Sequence, residues 1–243
     1  MDKTENTIKL ERRVFNGHYV NVHETTEIIL GFTELGFPAE DLPLLFAGRC
    51  KKVIHLNQVH TDGIYFASAI TAGEERDGDG IILDEKGTLG VIQTADCTPL
   101  FFWDEWGQTG GVLHIGWQGL LHGIEKKALK LLDNAKRGVP PQQLHYYLGP
   151  AIEQSCYEVG QDLVAKFAGK SYASEIFMHH PQNKEKYLMD VKKGIRASLK
   201  EAGIPDDKIT DSCLCTFCEV LRFPSYRRYR DSGERIYNFL VLK

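Results

Sequence analysis

The sequence contains no run of the roughly 18 consecutive apolar residues that a membrane-spanning helix requires, and its first residues, MDKTENTIKLERRVF, are charged and polar where an export signal needs an apolar stretch. These two absences predict a cytoplasmic protein without a membrane partner. Charge of one sign is lacking as well. Lys and Arg number 29 against 33 Asp and Glu, and the formal charge of -4 offers no global field for nucleic acid. Cysteine is sparse, with six in 243 residues. The count is even, but in a chain read as intracellular these residues are expected as thiols or metal ligands rather than disulfides. Repeats, low-complexity tracts and long linkers are also missing, so a single domain over residues 1–243 is expected. The one polar, proline-containing loop that suggests a boundary is RGVPPQQ at 137–143. Composition leaves the oligomeric state open.

What is present begins with 42% hydrophobic residues, enough for a substantial core. Short apolar stretches bounded by Gly, Asp or Pro recur as KKVIHLNQV, GIYFASA, GDGIIL, GTLGVIQT, TPLFFWD and GGVLHIGW, and they read as strands. Helical spacing appears in three places. Leu121, Ile124, Ala128, Leu131 and Leu132 follow Gly119; Leu188, Val191, Ile195 and Leu199 precede a C-terminal Gly203; and GQDLVAKFAG forms a shorter candidate. The terminal run IYNFLVL is expected to close a sheet. The mixture predicts an α/β (α+β) fold, a mixed sheet core layered with helices.

Three residues able to bind a borderline metal sit at or near predicted strands: His60 in LNQVHTDG, Cys97 in QTADCTPL and His114 in GVLHIGWQG. Two imidazoles and a thiolate suit zinc, with a fourth position left for water or substrate. Taken singly, each is equally well explained as a core residue. The words around them go further. NQVH, TADCTP, HIGWQG and GPAIEQSCYEVG, followed by CTFCEVLRFPSYRRYRDSG, come in the order and approximate spacing of the YfiH/YlmD family, whose members were once described as polyphenol oxidases. The chain resembles that family most clearly over residues 52 to 160.

The resemblance implies that His60, Cys97 and His114 are zinc ligands, and that the reaction is phosphorolysis of adenosine, inosine, guanosine or methylthioadenosine, with adenosine deamination as a further activity. Nucleoside and phosphate are then the small-molecule partners. Phosphorolysis needs an anion held beside C1′ of the sugar, for which Arg227 and Arg228 are the candidate cations. Deamination needs an activated water and a carboxyl to move protons. Asp96 and Asp79 lie nearest by motif, and an orienting role suits either. Gln58, two residues before His60, is expected on the same strand face as that ligand. Tyr157 and Glu158 belong to the CYEVG word without a settled role.

The family's HAGWRG is here His114-Ile115-Gly116-Trp117-Gln118-Gly119, so a neutral amide stands where relatives carry a guanidinium. The N-terminal glycine-rich segment of the family is absent, and its TGR-like triplet is only approximated by Ser232, Gly233, Glu234 and Arg235. Three rival functions compete with this reading. Multicopper oxidation needs about ten histidines, several as HxH pairs, whereas this chain has nine and no HxH. Copper remains an alternative occupant of the Cys-His site on affinity grounds. An amidase that edits peptidoglycan precursors would use Cys97 as nucleophile or a metal in its place, and zinc content discriminates between those mechanisms. A structural zinc site at Cys215 and Cys218 lacks a second CxxC, so CTFC reads as a reduced segment and YRRYR as a solvated basic face.

Overall fold

The computed structural model describes residues 8–135, 139–230 and 232–243. The chain opens with three antiparallel strands, β1 (Glu11–Phe15), β2 (His18–Glu24) and β3 (Ile28–Thr33), then a short helix α1 (Asp41–Leu45). The central region supplies β4 (Lys52–His55), β5 (Ile64–Phe66), β6 (Gly80–Leu83), β7 (Thr88–Thr94), β8 (Thr98–Trp103) and β9 (Gly110–Ile115). Helices α2 (Trp117–His122) and α3 (Ile124–Ala135) follow, then β10 (His145–Leu148), β11 (Glu158–Gly160), α4 (Gln161–Lys166) and α5 (Ala173–Ile176). The remainder is β12 (Phe177–His179), β13 (Lys186–Met189), α6 (Val191–Glu201), β14 (Ile209–Asp211) and β15 (Ile236–Leu242).

Two six-stranded mixed sheets form the body, in the orders β1-β2-β3-β15-β7-β4 and β14-β10-β8-β9-β6-β5, and β11-β13-β12 makes a smaller sheet. The apolar runs are continuous because both faces of their strands are buried. Ile28, Leu30 and Phe32 of β3 and Leu240 and Leu242 of β15 pack with Ile81, Leu83, Phe101, Trp103 and Val112 of the second sheet. The intervening residues point the other way, as the two-residue period of a strand demands. Ile29, Leu89, Val91, Phe239 and Val241 meet Phe37, Leu42 and Phe46 around α1. On the second sheet, Ile82, Leu100, Phe102, Leu113 and Ile115 meet Leu120 of α2, Ile124, Ala128 and Leu132 of α3, and Ile195 and Leu199 of α6. Each such side chain contributes about 1.5–3 kcal/mol when fully buried. The α+β expectation is met.

Several local expectations need correction. The helical pattern after Gly119 is two helices, because Gly123 adopts a left-handed φ of 73° and breaks the run. Leu188 belongs to β13, and α6 begins only after Asp190, whose carboxylate accepts a hydrogen bond from the Lys193 amide. Gly203 lies just past the end of α6 with φ 85°, as expected of a helix stop. IYNFLVL completes its sheet from within rather than at an edge, since β15 is inserted between β3 and β7. Of RGVPPQQ, Arg137 and Gly138 lie outside the described residues, and Pro141–Gln143 forms a single 3-10 turn. No helix among the described residues is long and apolar enough to cross a membrane.

Candidate metal centre

The site grows out of strand register. β4 and β7 run parallel, so their C-terminal ends emerge at the same edge, carrying His60 beyond one and Cys97 beyond the other. β8 and β9 pair antiparallel with Pro99 opposite His114, which places His114 two residues from Cys97 across the ladder. The ligand atoms of His60, Cys97 and His114 all lie within 4.8 Å of one another. The Cys97 Sγ to His60 Nε2 distance is 3.9 Å, and the two imidazoles meet edge to face with centroids 4.7 Å apart.

The backbone is strained where these residues turn inward. His60 has φ 58° and Asp96 has φ 90°, conformations that non-glycine residues adopt only when their surroundings enforce them. Asp79 provides that enforcement at His60. Fully buried at the start of β6, it accepts hydrogen bonds from the His60 amide at 3.1 Å, the Thr61 amide at 2.6 Å, the Thr61 hydroxyl at 3.0 Å and His114 Nδ1 at 2.8 Å. With Nδ1 engaged, Nε2 is the His114 nitrogen left to face the cluster. Gly116 leaves the remaining room, since a Cβ there would stand 2.9 Å from the Cys97 sulfur.

Charge in the cluster is mutually supported. Burial pushes the Cys97 thiol up, but the His114 and His60 imidazoles more than reverse that and bring it to about 6. Burial opposes a charge on His114, yet the Cys97 thiolate and the Asp79 carboxylate carry it up to about 9. For Asp79 burial raises and the bonds from His114 and Thr61 lower, the latter prevailing, so the carboxyl lies below its ordinary range. A thiolate and two imidazole nitrogens, braced by a buried carboxylate, form a donor set that fits Zn2+.

The cluster opens into a cavity of about 1090 Å³. Arg227, Arg230, Arg235 and Lys186 stand on its wall, as do the aromatic rings of Trp117, Tyr157 and Tyr226. The Arg227 guanidinium lies 5.0 Å from the Tyr157 ring centre and donates to the Glu158 carbonyl at 2.7 Å. Burial, with the negative charge of Cys97 adding to it, raises the Tyr157 phenol to about 12.

The other sequence candidates are distributed unevenly. Asp96 lines the cavity, but its carboxylate is committed: it accepts from the Thr216 hydroxyl at 2.6 Å, the Ser225 hydroxyl at 3.0 Å and the Arg227 amide at 2.7 Å. It holds the C-terminal loop against the site. Gln58 is not on a strand, because β4 ends at His55; its side-chain amide donates to the Gln93 carbonyl and accepts from the Gln93 amide, both at 2.7 Å. The expectation that it shares a strand face with His60 is therefore corrected. Arg228 is absent from the cavity wall and donates to the carbonyls of Thr216, Phe217 and Phe223. Gln118 does line the cavity. Sequence reasoning missed Lys186, and it read YRRYR as a solvated face, whereas Tyr226, Arg227 and Arg230 of that run line the cavity.

Comparison with known proteins gives a concordant picture. The family model described as "Multi-copper polyphenol oxidoreductase laccase" matches residues 44–243. A Bacillus subtilis protein named purine nucleoside phosphorylase YlmD is 30% identical over 165 residues, which is 68% of this chain and 59% of that protein. A protein named adenosine deaminase RL5, from an unknown prokaryotic organism, is 28% identical over 166 residues, covering 68% of this chain and 62% of its own length. The crystal structure of YlmD from Geobacillus stearothermophilus superposes with a TM-score of 0.82 at 22% identity, over 96% of this chain and 98% of that one.

Proposed function

The chain belongs to the multi-copper polyphenol oxidoreductase laccase family, and on that premise we propose that it is a cytoplasmic, zinc-dependent purine nucleoside phosphorylase acting on adenosine, inosine, guanosine or methylthioadenosine. One observation carries the reading: the His60, Cys97 and His114 donor set lies at a cavity whose wall combines several cations with aromatic rings.

His60, Cys97 and His114 would hold the zinc, with Asp79 fixing the tautomer and aim of His114. When bound, zinc supplies a concentrated positive charge that stabilises developing negative charge at the reacting groups. Arg227, Arg230 and Lys186 are placed to hold the phosphate dianion, and guanidinium groups suit its paired oxygens. Trp117, Tyr157 and Tyr226 offer flat apolar surface for a purine. Asp96 positions Arg227 by binding its amide. Phosphorolysis then breaks the bond between C1′ and the base nitrogen as a C1′–O bond to phosphate forms, and the base leaves with one added proton. Orientation of the two substrates in the cavity is the main contribution the residues themselves make.

Deamination is less well served by the two carboxylates nearest in motif, because Asp79 and Asp96 are both occupied by hydrogen bonds. A second reading draws on the depressed Cys97 thiol beside two imidazoles, the pairing of a cysteine amidase. Metal content separates the two, since a thiolate shared with zinc is a poor free nucleophile. The deciding experiment measures zinc and nucleoside turnover, with and without phosphate, in the protein and in Cys97→Ala. Zinc lost from the variant together with phosphate-dependent release of free base supports the proposal. Zinc-free protein with an alkylatable Cys97 overturns it in favour of the amidase.

A further inference from the structure

A second cluster of soft ligands lies outside the centre just described. Cys156 ends a 3-10 turn over Gln154–Cys156, while Cys215 and Cys218 come from the C-terminal loop almost 60 residues later in the chain. A parallel bridge between Ala151 and Cys215 joins the two segments, with the Ala151 amide donating to Leu214 and the Thr216 amide donating to Ala151. The three sulfur atoms all lie within 4.8 Å of one another, and Cys156 Sγ is 3.3 Å from Cys218 Sγ. None of the six cysteines is in a disulfide.

We propose that Cys156, Cys215 and Cys218 form a second metal site, independent of the His60–Cys97–His114 centre, for a single thiophilic d10 cation, Zn2+ or Cu+. Three thiolates from two chain segments match the preference of these cations for soft ligands. Backbone groups of Glu153, Phe217 and Cys218 around the half-buried Cys215 favour its thiolate and hold its pKa below the ordinary thiol value. In a Cys-x-x-Cys turn such groups orient the sulfur and spread its negative charge, the role that partners behind a ligand usually play. Cys218 is exposed, so a fourth position stays open to water or a small solvent ligand. The site would act as a strut. It ties the segment carrying Tyr157 and Glu158 to the one carrying Thr216, Ser225 and Arg227, and the latter grips Asp96 beside Cys97. Metal at the thiol cluster therefore braces one wall of the cavity without touching its floor.

The test uses the full chain, prepared under reductant and loaded with zinc, in four forms: unaltered, Cys97→Ala, Cys218→Ser and the double variant. The expected zinc content is two, one, one and none per chain. Chelation should lower the Tm of Cys97→Ala but leave the double variant unmoved, because the strut is all that remains to lose. Cobalt substituted into Cys97→Ala should give a thiolate-to-metal charge-transfer band that Cys218→Ser abolishes in the double variant. Cu+ added to Cys97→Ala should bind once per chain and be lost with the same substitution. One zinc in the unaltered protein that Cys218→Ser leaves in place overturns the proposal. So does a Cys156–Cys218 disulfide that persists under reductant. One zinc in the unaltered protein that Cys97→Ala leaves in place and Cys218→Ser removes counts against the first centre alone, so the two proposals fail separately.

Discussion

Asp79 and Glu125 are both buried carboxylates, at 0% and 1% exposure, yet their surroundings drive them in opposite directions. Asp79 receives four hydrogen bonds from His60, Thr61 and His114, and its carboxyl is held below the usual range. Glu125, on α3 in the helical layer, receives one from the Ser198 hydroxyl, its Oε2 has no partner, and burial raises its carboxyl. Burial alone thus does not decide whether an acid is ionised. The donors gathered around it do, and only the first arrangement is fit to orient a cationic or metal-bound imidazole.

The strongest way to break this comparison is Asp79→Asn, which keeps the shape and removes the charge. It should cost about 10–100-fold in zinc affinity, read by competition with a chromogenic chelator; an unchanged affinity would show that His114 needs no carboxylate behind it. A finer cut is Thr61→Val, which removes the hydroxyl bond at 3.0 Å but leaves the Thr61 amide in place. Stability should fall by about 1 kcal/mol, measured by urea unfolding, with zinc affinity reduced less than in Asp79→Asn. The smallest effect is expected at Glu125. Because its folded-state pKa is raised above the unfolded value, its contribution to stability is full below the unfolded pKa and is lost as pH rises through the folded one. Glu125→Gln should therefore flatten that fall in stability with rising pH, and a profile unchanged in slope would remove Glu125 as its cause.

Much of the candidate site was legible because its donors sit within short words. His60, Cys97 and His114 were each visible in sequence, and register brings their ligand atoms within 4.8 Å. Gln58 was misread because two-residue alternation holds only inside a strand, and β4 stops three residues earlier, at His55. Lys186 gave no local signal and Arg230 only that of a basic run, since their place on the cavity wall depends on how the small sheet and the C-terminal loop fold over the centre. The thiol cluster was hidden for a similar reason. CTFC shows two sulfurs, and the third arrives through the Ala151–Cys215 bridge. The N-terminal strands carried a usable trace in Val20 and Val22, buried on alternate positions of β2, but the charged β1 beside it obscured the pattern.

The position of β15 bears on how the chain reaches its native state. β3 and β7 do not pair with each other; both pair with Ile236–Leu242. The two halves of this sheet, with the apolar faces of Ile28, Leu30 and Phe32 in one of them, are thus joined only by a strand some 200 residues later in the chain. So non-local a pairing slows folding and leaves those apolar strand faces open to aggregation until it forms.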